Sequence, residues 1–433
     1  MDNQESVSDV PDNLSAKYKD SFAYLTIRDR LPVILTKVVD TVYRMKNKMK
    51  DESGEETSGE LKDITGRLSK LRFQIQTDKP VENLEDSRTD TPIWNQHHQD
   101  LLKLNNGQPI KWFSAAWLYL ECYMYRRIQE SVELTWSSDN ADKLKLTYLL
   151  EVVGQCQGYS SALLLVPSSC EKADKLKQFL EVALWGNKCD LSISAGFSNS
   201  QTTCILDQLK LLNPNILADH SQQVIETLQR QTKGEAGRVD IVLDNAGFEL
   251  VTDLCLAEFL MSAGLASSIH FHGKAIPWFV SDVTRRDFQW LLETMKGTNN
   301  LAISTFGAKW QKLLELGSWV YHDHDFWTTP FDFSLMKKHA SELYNDLGKA
   351  DLVFFKGDLN YRKLVGDKRW EPTVSFSSSL RGFEPAPLCS LRALKSDVVV
   401  GLKPGQAEMT QHHDKDWMID GKWAVISFHT GHS

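Results

Sequence analysis

Three short apolar runs in the C-terminal half of the chain end in groups that can hold a cation. Ile241-Val242-Leu243 is followed by Asp244 and Asn245. Trp278-Phe279-Val280 is followed by Ser281 and Asp282, and Leu352-Val353-Phe354-Phe355 by Lys356, Gly357 and Asp358. Two carboxylates and an amide oxygen gathered at one edge form a hard oxygen-donor set, suited to Mg²⁺ or Mn²⁺ with waters retained rather than to zinc. An Asp or Asn after a strand also serves simply to cap the next helix, so both readings stand at each position. Gly357 to Lys363 should open a helix, whose free N–H groups favour a phosphate, and Arg362 could add a bidentate contact. Arg392 and Lys395, close to Ser396, offer more positive charge or are solvated surface.

Other polar residues offer less. His270 and His272 fall on one face of a strand-like run, as a metal pair would, but no third soft ligand follows from the spacing, and a packed or exposed pair accounts for them. His322 with His324 reads the same way, and His97-His98 as the surface of a helix. Glu121 shares a helical stripe with Phe113, Trp117 and Tyr125. A carboxylate among aromatics either pairs with an arginine in the core or faces a site. The seven cysteines are odd in number, form no Cys-x-x-Cys and lie at least 14 positions apart, which reads as buried, reduced thiols.

To bring the strand-end groups together, the runs that carry them must lie side by side in one sheet. RVDIVLDNAG, SIHFHG, AIPWFVSD, WVYHD, DLVFFKGD and SDVVVGL read as short strands. They alternate with helical patterns at 248–264, 284–297 and around 334–347. The alternation predicts an α/β fold over 196–433, a Rossmann-like, mostly parallel sheet sandwiched by helices, with ligands bound beyond the carboxyl ends of the strands. Earlier in the chain, helical patterns at 15–48, 60–77, 92–103, 112–131, 141–163 and 171–184 predict an N-terminal all-helical domain over 14–195. The charged stretch 46–60 reads as an exposed loop. No P-loop, no G-x-G-x-x-G after a strand and no G-x-S-x-G elbow occurs.

The acidic, polar start, MDNQESVSDVPDN, reads as a loose tail over 1–13 rather than a secretory leader, so an intracellular setting, cytoplasm or nucleus, is expected. With 49 Lys and Arg against 57 Asp and Glu, the formal charge of −8 argues against a nucleic-acid clamp or an anionic-membrane binder. No apolar run approaches the ~18–20 residues that span a bilayer.

Six ordered blocks, WFSAAWLYLECYMYRR, LWGNKCDLS, DIVLDNAGFELVTDL, GKAIPWFVSD, FFKGDLNYRKL and LCSLRALK, resemble the damage-control phosphatase family. Within it, the chain is similar to the sugar-phosphate phosphatase branch that is also named acidic residue methyltransferase. The resemblance implies a divalent metal (Mn, Mg, Co or Ni) held by Asp244, Asn245 and Asp282, which are also the catalytic residues. It implies a substrate phosphate bound by Asp244, Asn245, Asp358, Leu359, Asn360, Tyr361, Arg362 and Lys395, with Asn187 and Asp190 as further site residues. The implied substrates are fructose 1-phosphate and fructose 6-phosphate, in metabolite damage control. The branch's second implied activity is S-adenosylmethionine-dependent methylation of protein glutamates, with Glu249 touching the cofactor and proteins as substrates. Ala393 stands where the family has Thr. Whether water or Asp244 attacks phosphorus is left open.

Overall fold

β-Branched and aromatic runs in the C-terminal half leave too much apolar surface for one exposed face, and they pair into a sheet covered on both sides. The computed structural model describes residues 10–53, 55–135, 172–194, 205–231 and 237–431, with side chains for all of these but 45–53, 55–58, 187, 189–194, 205–208 and 231. The strands are β1 (Ile216–Asp219), β2 (Arg238–Val242), β3 (Ser268–Gly273), β4 (Trp319–Asp323), β5 (Leu352–Lys356), β6 (Leu388–Ala393) and β7 (Ala424–His429). Their order is β1-β7-β6-β5-β2-β3-β4, parallel from β6 through β4, with β7 antiparallel to β6 and β1 parallel to β7. This is the α/β architecture expected. Ile216–Asp219, Leu388–Ala393 and Ala424–His429 were not anticipated as strands, and the first and last of them supply the two that run against the rest.

Alternate side chains serve opposite faces. Val353 and Phe355 join one core, Leu352 and Phe354 the other. The first core is completed by α1 (Leu31–Ser53), α2 (Glu55–Gln76), α3 (Thr91–Leu104) and α4 (Trp117–Glu133). The second is completed by α5 (Lys172–Ser194), α6 (Ser221–Gln231), α7 (Phe248–Ser262), α8 (Arg285–Gly297) and α9 (Leu301–Glu315). α10 (Gly357–Val365) follows β5 and packs into the first core. Residues on both sides of position 195 therefore contribute to each core. Of the expected tail, 10–13 fall among the described residues and are tied down: Asp12 accepts from Lys17 and Tyr18, and Asn13 bridges Lys368.

Several local expectations change. AIPWFVSD forms a tight loop, not a strand. Pro277 lacks an N–H, and Phe279 and Val280 take left-handed φ of 42° and 72°. SDVVVGL is a buried coil, because its groups are satisfied out of register: Val400 N–H donates to the Tyr361 hydroxyl (3.0 Å) and Gly401 N–H to the Val374 carbonyl (2.8 Å). The expected loop 46–60 is helical on both sides of position 54, since Lys, Met and Glu sustain helix without an apolar stripe. The helix expected at 141–163 lies outside the described residues. Cys122, Cys255 and Cys389 are free and buried.

Candidate active site

The chain leaves β2 in two directions across the sheet, through β3 to β4 on one side and to β5 and β6 on the other. The crevice beyond the carboxyl ends of β2 and β5 is thus the switch point at which α/β sheets bind ligands. A cavity of about 340 Å³ lies there, lined by Arg30, Ile34, Trp117, Glu121, Tyr125, Asp244, Asn245, Phe279, Ser281, Asp282, Asp358, Leu359, Arg362 and Lys395.

Asp244 and Asn245 leave β2 without capping a helix: the N-cap of α7 is Gly247, at φ 81°. Asn245 Nδ2 donates to Asp244 Oδ2 (2.8 Å) and to Glu249 Oε2 (2.9 Å), and its Oδ1 accepts from Ser281 Oγ. The backbone zips this turn to the one bearing Asp282, through Ala246 N–H to Ser281 O (2.7 Å) and Val283 N–H to Asp244 O (2.9 Å). Asp282 does not cap α8 either. Thr284 does, in a reciprocal pair with Asp287. Asp282 instead sits 3.3 Å from Lys274 Nζ, with both side chains buried.

Two carboxylates, Asp244 and Glu249, therefore share one amide, and the charge of Asp282 also acts on Asp244. Burial, then the charges of Glu249 and Asp282, push the Asp244 pKa well above the usual carboxylate range, with Lys395 and Lys274 offsetting only part. Burial also works against ionised Glu249, but Lys356 and the Asn245 amide hold its pKa below the ordinary value. Hard oxygen donors with surplus negative charge fit a divalent cation, which would relieve the repulsion at Asp244. The backbone gives them room. Gly357 opens α10 at φ 84°, where a Cβ would stand 1.9 Å from Asp244 Oδ2.

Asp358, Leu359 and Arg362 of the GDLNYR segment reach the cavity, whereas Asn360 and Tyr361 do not line it. Asn360 Nδ2 braces the Lys356 and Leu243 carbonyls (2.7 and 3.3 Å), and the Tyr361 hydroxyl holds Val400. Asp358 Oδ1 accepts from Arg392 Nε (2.8 Å), Lys395 N–H (3.0 Å) and Ser396 Oγ (3.1 Å), which anchors the Lys395 loop. Arg392 is fully buried in that network, so it is neither solvated nor turned to the cavity. The Lys395 side chain is exposed at the cavity and makes no ion pair among the described residues. Glu121 meets both of its alternatives: it lines the cavity and pairs with Arg362 Nη1 at 2.6 Å. Glu249 is buried against Asn245 and Lys356 and does not line the cavity. Asn187 and Asp190 fall in α5, but their side chains lie outside the described ones. Ala393 packs against the second core.

Arg30, Ile34 and the Tyr125–Phe279 stack, with ring centroids 4.4 Å apart, were not anticipated. Tyr125 shares the Glu121 stripe and was findable. Arg30 sits in an ordinary charged run and gives no local signal. Elsewhere, His270, His322 and Asp346 bring three donor atoms within 4.8 Å of one another, a set that could take a divalent metal. The pair in this set is His270 with His322, not His270 with His272, and Asp346, on a neighbouring helix, supplies a third donor atom that strand spacing does not reveal. Arg238 (2.8 Å) and Lys349 (3.0 Å) also contact its carboxylate, and none of the three lines the cavity.

A profile of the damage-control phosphatase ARMT1-like domain matches residues 26–410. Damage-control phosphatase ARMT1 of Danio rerio is 48% identical over 447 residues, covering 98% of both chains. The protein of that name from Homo sapiens is 44% identical over 435 residues, covering 97% of this chain and 98% of its own. A crystal structure of a DUF89 family protein from Pyrococcus horikoshii aligns with a TM-score of 0.44 at 16% identity, covering 85% of this chain and 97% of that one. The matched span runs from before Arg30 to beyond Lys395 and so takes in every residue that lines the cavity: the chain belongs to the damage-control phosphatase ARMT1-like family.

Proposed function

We propose that the cavity hydrolyses small sugar phosphates, such as fructose 1-phosphate and fructose 6-phosphate, in a metal-dependent reaction that serves metabolite damage control. The observation that carries this reading is the convergence of Asp244, Asn245 and Asp282 at the switch crevice, with surplus negative charge among them and Lys395 lining the same cavity. Asp244, Asn245 and Asp282 would hold Mn²⁺, Mg²⁺, Co²⁺ or Ni²⁺, with Ser281 and Lys274 orienting Asn245 and Asp282. A bound divalent cation polarises a phosphoryl oxygen and lowers the pKa of water. The chain's own part is to place the ester: Lys395 neutralises charge on the phosphoryl oxygens, and Asp358 fixes the loop that carries it. Buried free thiols at Cys122, Cys255 and Cys389 support an intracellular setting, cytoplasm or nucleus, and among the described residues no helix is long and apolar enough to cross a membrane.

Asp282→Asn tests the reading, because it keeps shape and volume but removes a charge from the donor set. Mn²⁺ is titrated into both proteins while fructose 1-phosphate hydrolysis is followed. The variant should need more Mn²⁺ and recover part of its activity at high concentration. Since Thr284 already caps α8, no capping defect confuses the result. Superimposable curves would overturn the metal site. A radiolabelled methyl-transfer assay on the same preparations addresses the alternative, a protein-glutamate methyltransferase using S-adenosylmethionine. The burial of Glu249 against Asn245 and Lys356 favours the phosphatase reading.

A further inference from the structure

The cations around the cavity are mostly committed. Arg362 closes its Nε and Nη2 on Asp367 (2.7 and 3.0 Å) and its Nη1 on Glu121 (2.6 Å), with its guanidinium 3.7 Å from the Trp117 ring centroid. Arg392 is spent on Asp358, Ser396 and the Val398 carbonyl. Lys356 bridges Asp253 and Glu249, and Lys274 bridges Asp282 and the Leu243 carbonyl. A phosphate entering the cavity would have to break buried ion pairs to reach any of these.

Arg30 is different. It lines the cavity, is exposed, and makes no ion pair with a carboxylate among the described residues. Arg28, two positions earlier, is closed on Asp29. Arg30 ends a π-helical turn, Thr26–Arg30, inserted just before α1. Such an inserted turn rotates the side chains around it and recurs at functional sites. Here Ile27 and Leu31 are fully buried while Arg30 is left at the cavity. The guanidinium rests 4.8 Å from the Phe22 ring centroid, and Phe22 N–H donates to Asp397 Oδ2 (2.9 Å). That bond bolts the Arg30 segment to the loop that carries Lys395.

We propose that Arg30 is a substrate-binding residue of this cavity: its fork takes phosphoryl oxygens in partnership with Lys395, the contact that the sequence alone assigned to Arg362. This rests on the reading of the cavity as a phosphate-monoester site, and it makes the N-terminal helical layer part of that site. A guanidinium matches two phosphoryl oxygens at once and cannot lose its charge at neutral pH.

The test measures inorganic phosphate binding to the Mn²⁺-loaded protein by calorimetry, and fructose 1-phosphate kinetics, for wild type, Arg30→Ala, Arg30→Lys and Arg28→Ala. Arg30→Ala should weaken phosphate binding and raise KM by about tenfold or more, as expected for one lost charged contact. Its Mn²⁺ half-saturation and melting temperature should stay at wild-type values. Arg30→Lys should recover part of the loss, and added guanidinium ion should partly rescue Arg30→Ala. Arg28→Ala should match wild type throughout. Wild-type phosphate affinity and KM in Arg30→Ala would overturn the assignment and leave the phosphatase reading standing, as would a loss matched by a fall in melting temperature, which marks a structural role. A wild-type protein that neither binds phosphate nor hydrolyses the ester would overturn the reading beneath it, and this inference with it.

Discussion

Lys395 and Arg362 carry the same charge to the same cavity, and their surroundings give them different work. The Lys395 side chain is exposed, makes no ion pair among the described residues, and has its backbone N–H anchored by Asp358. Arg362 is buried between two carboxylates. Lys395→Ala should therefore lower kcat/KM for fructose 1-phosphate by about ten- to a hundredfold, the range for one charged hydrogen bond. Melting temperature and Mn²⁺ half-saturation should stay unchanged, since the proposed cation ligands are elsewhere. Steady-state kinetics beside a thermal melt checks this, and a variant with wild-type efficiency would remove Lys395 from the site.

Among the elements, the junction of β5 and α10 controls how closely the helix approaches the donor set. Gly357 at φ 84° is needed on two counts: an L side chain is strained there, and its Cβ would collide with Asp244 Oδ2. Gly357→Ala should cost about 1–2 kcal/mol from the backbone alone. Activity should fall further than stability does, because the collision displaces a carboxylate that is proposed to hold the cation rather than a packing atom. Urea denaturation and an Mn²⁺ titration on the same variant separate the two effects. Normal metal half-saturation in a destabilised variant would show that Asp244 is not a ligand.

Across the whole molecule, the N-terminal helices are joined to the α/β part at the site itself. Glu121 from α4 meets Arg362 from α10, and Arg362 also closes on Asp367 (2.7 Å), whose carbonyl accepts from Leu14 N–H (2.8 Å). The division into a helical domain over 14–195 and a catalytic domain over 196–433 stays a proposal about roles, since the hydrophobic cores span it. Arg362→Met should destabilise the protein by about 3–5 kcal/mol, because it strands two buried carboxylates. Urea denaturation of this variant beside Arg30→Ala separates the two arginines. A large stability loss belongs to Arg362 and a binding loss to Arg30.

Chemistry and periodicity were legible without coordinates. Asp244, Asn245 and Asp358 follow β2 and β5, whose apolar runs announce a covered, mostly parallel sheet, and both signals are local; Lys395 stood out by its charge, because the run before it, β6, did not read as a strand. Asp282 was found for an incomplete reason: its run is a left-handed loop, and backbone bonds to 244–246, not a strand, bring it to the site. Only the tertiary structure decided which cations stay available. Arg30, Arg362 and Arg392 look alike as letters, and whether each keeps its charge for a ligand depends on carboxylates such as Glu121, Asp358 and Asp367 that the fold places beside it. Helical spacing and strand alternation are short-range properties that a sequence records directly. The pairing of Arg362 with Glu121 spans 241 positions, and no local pattern encodes it.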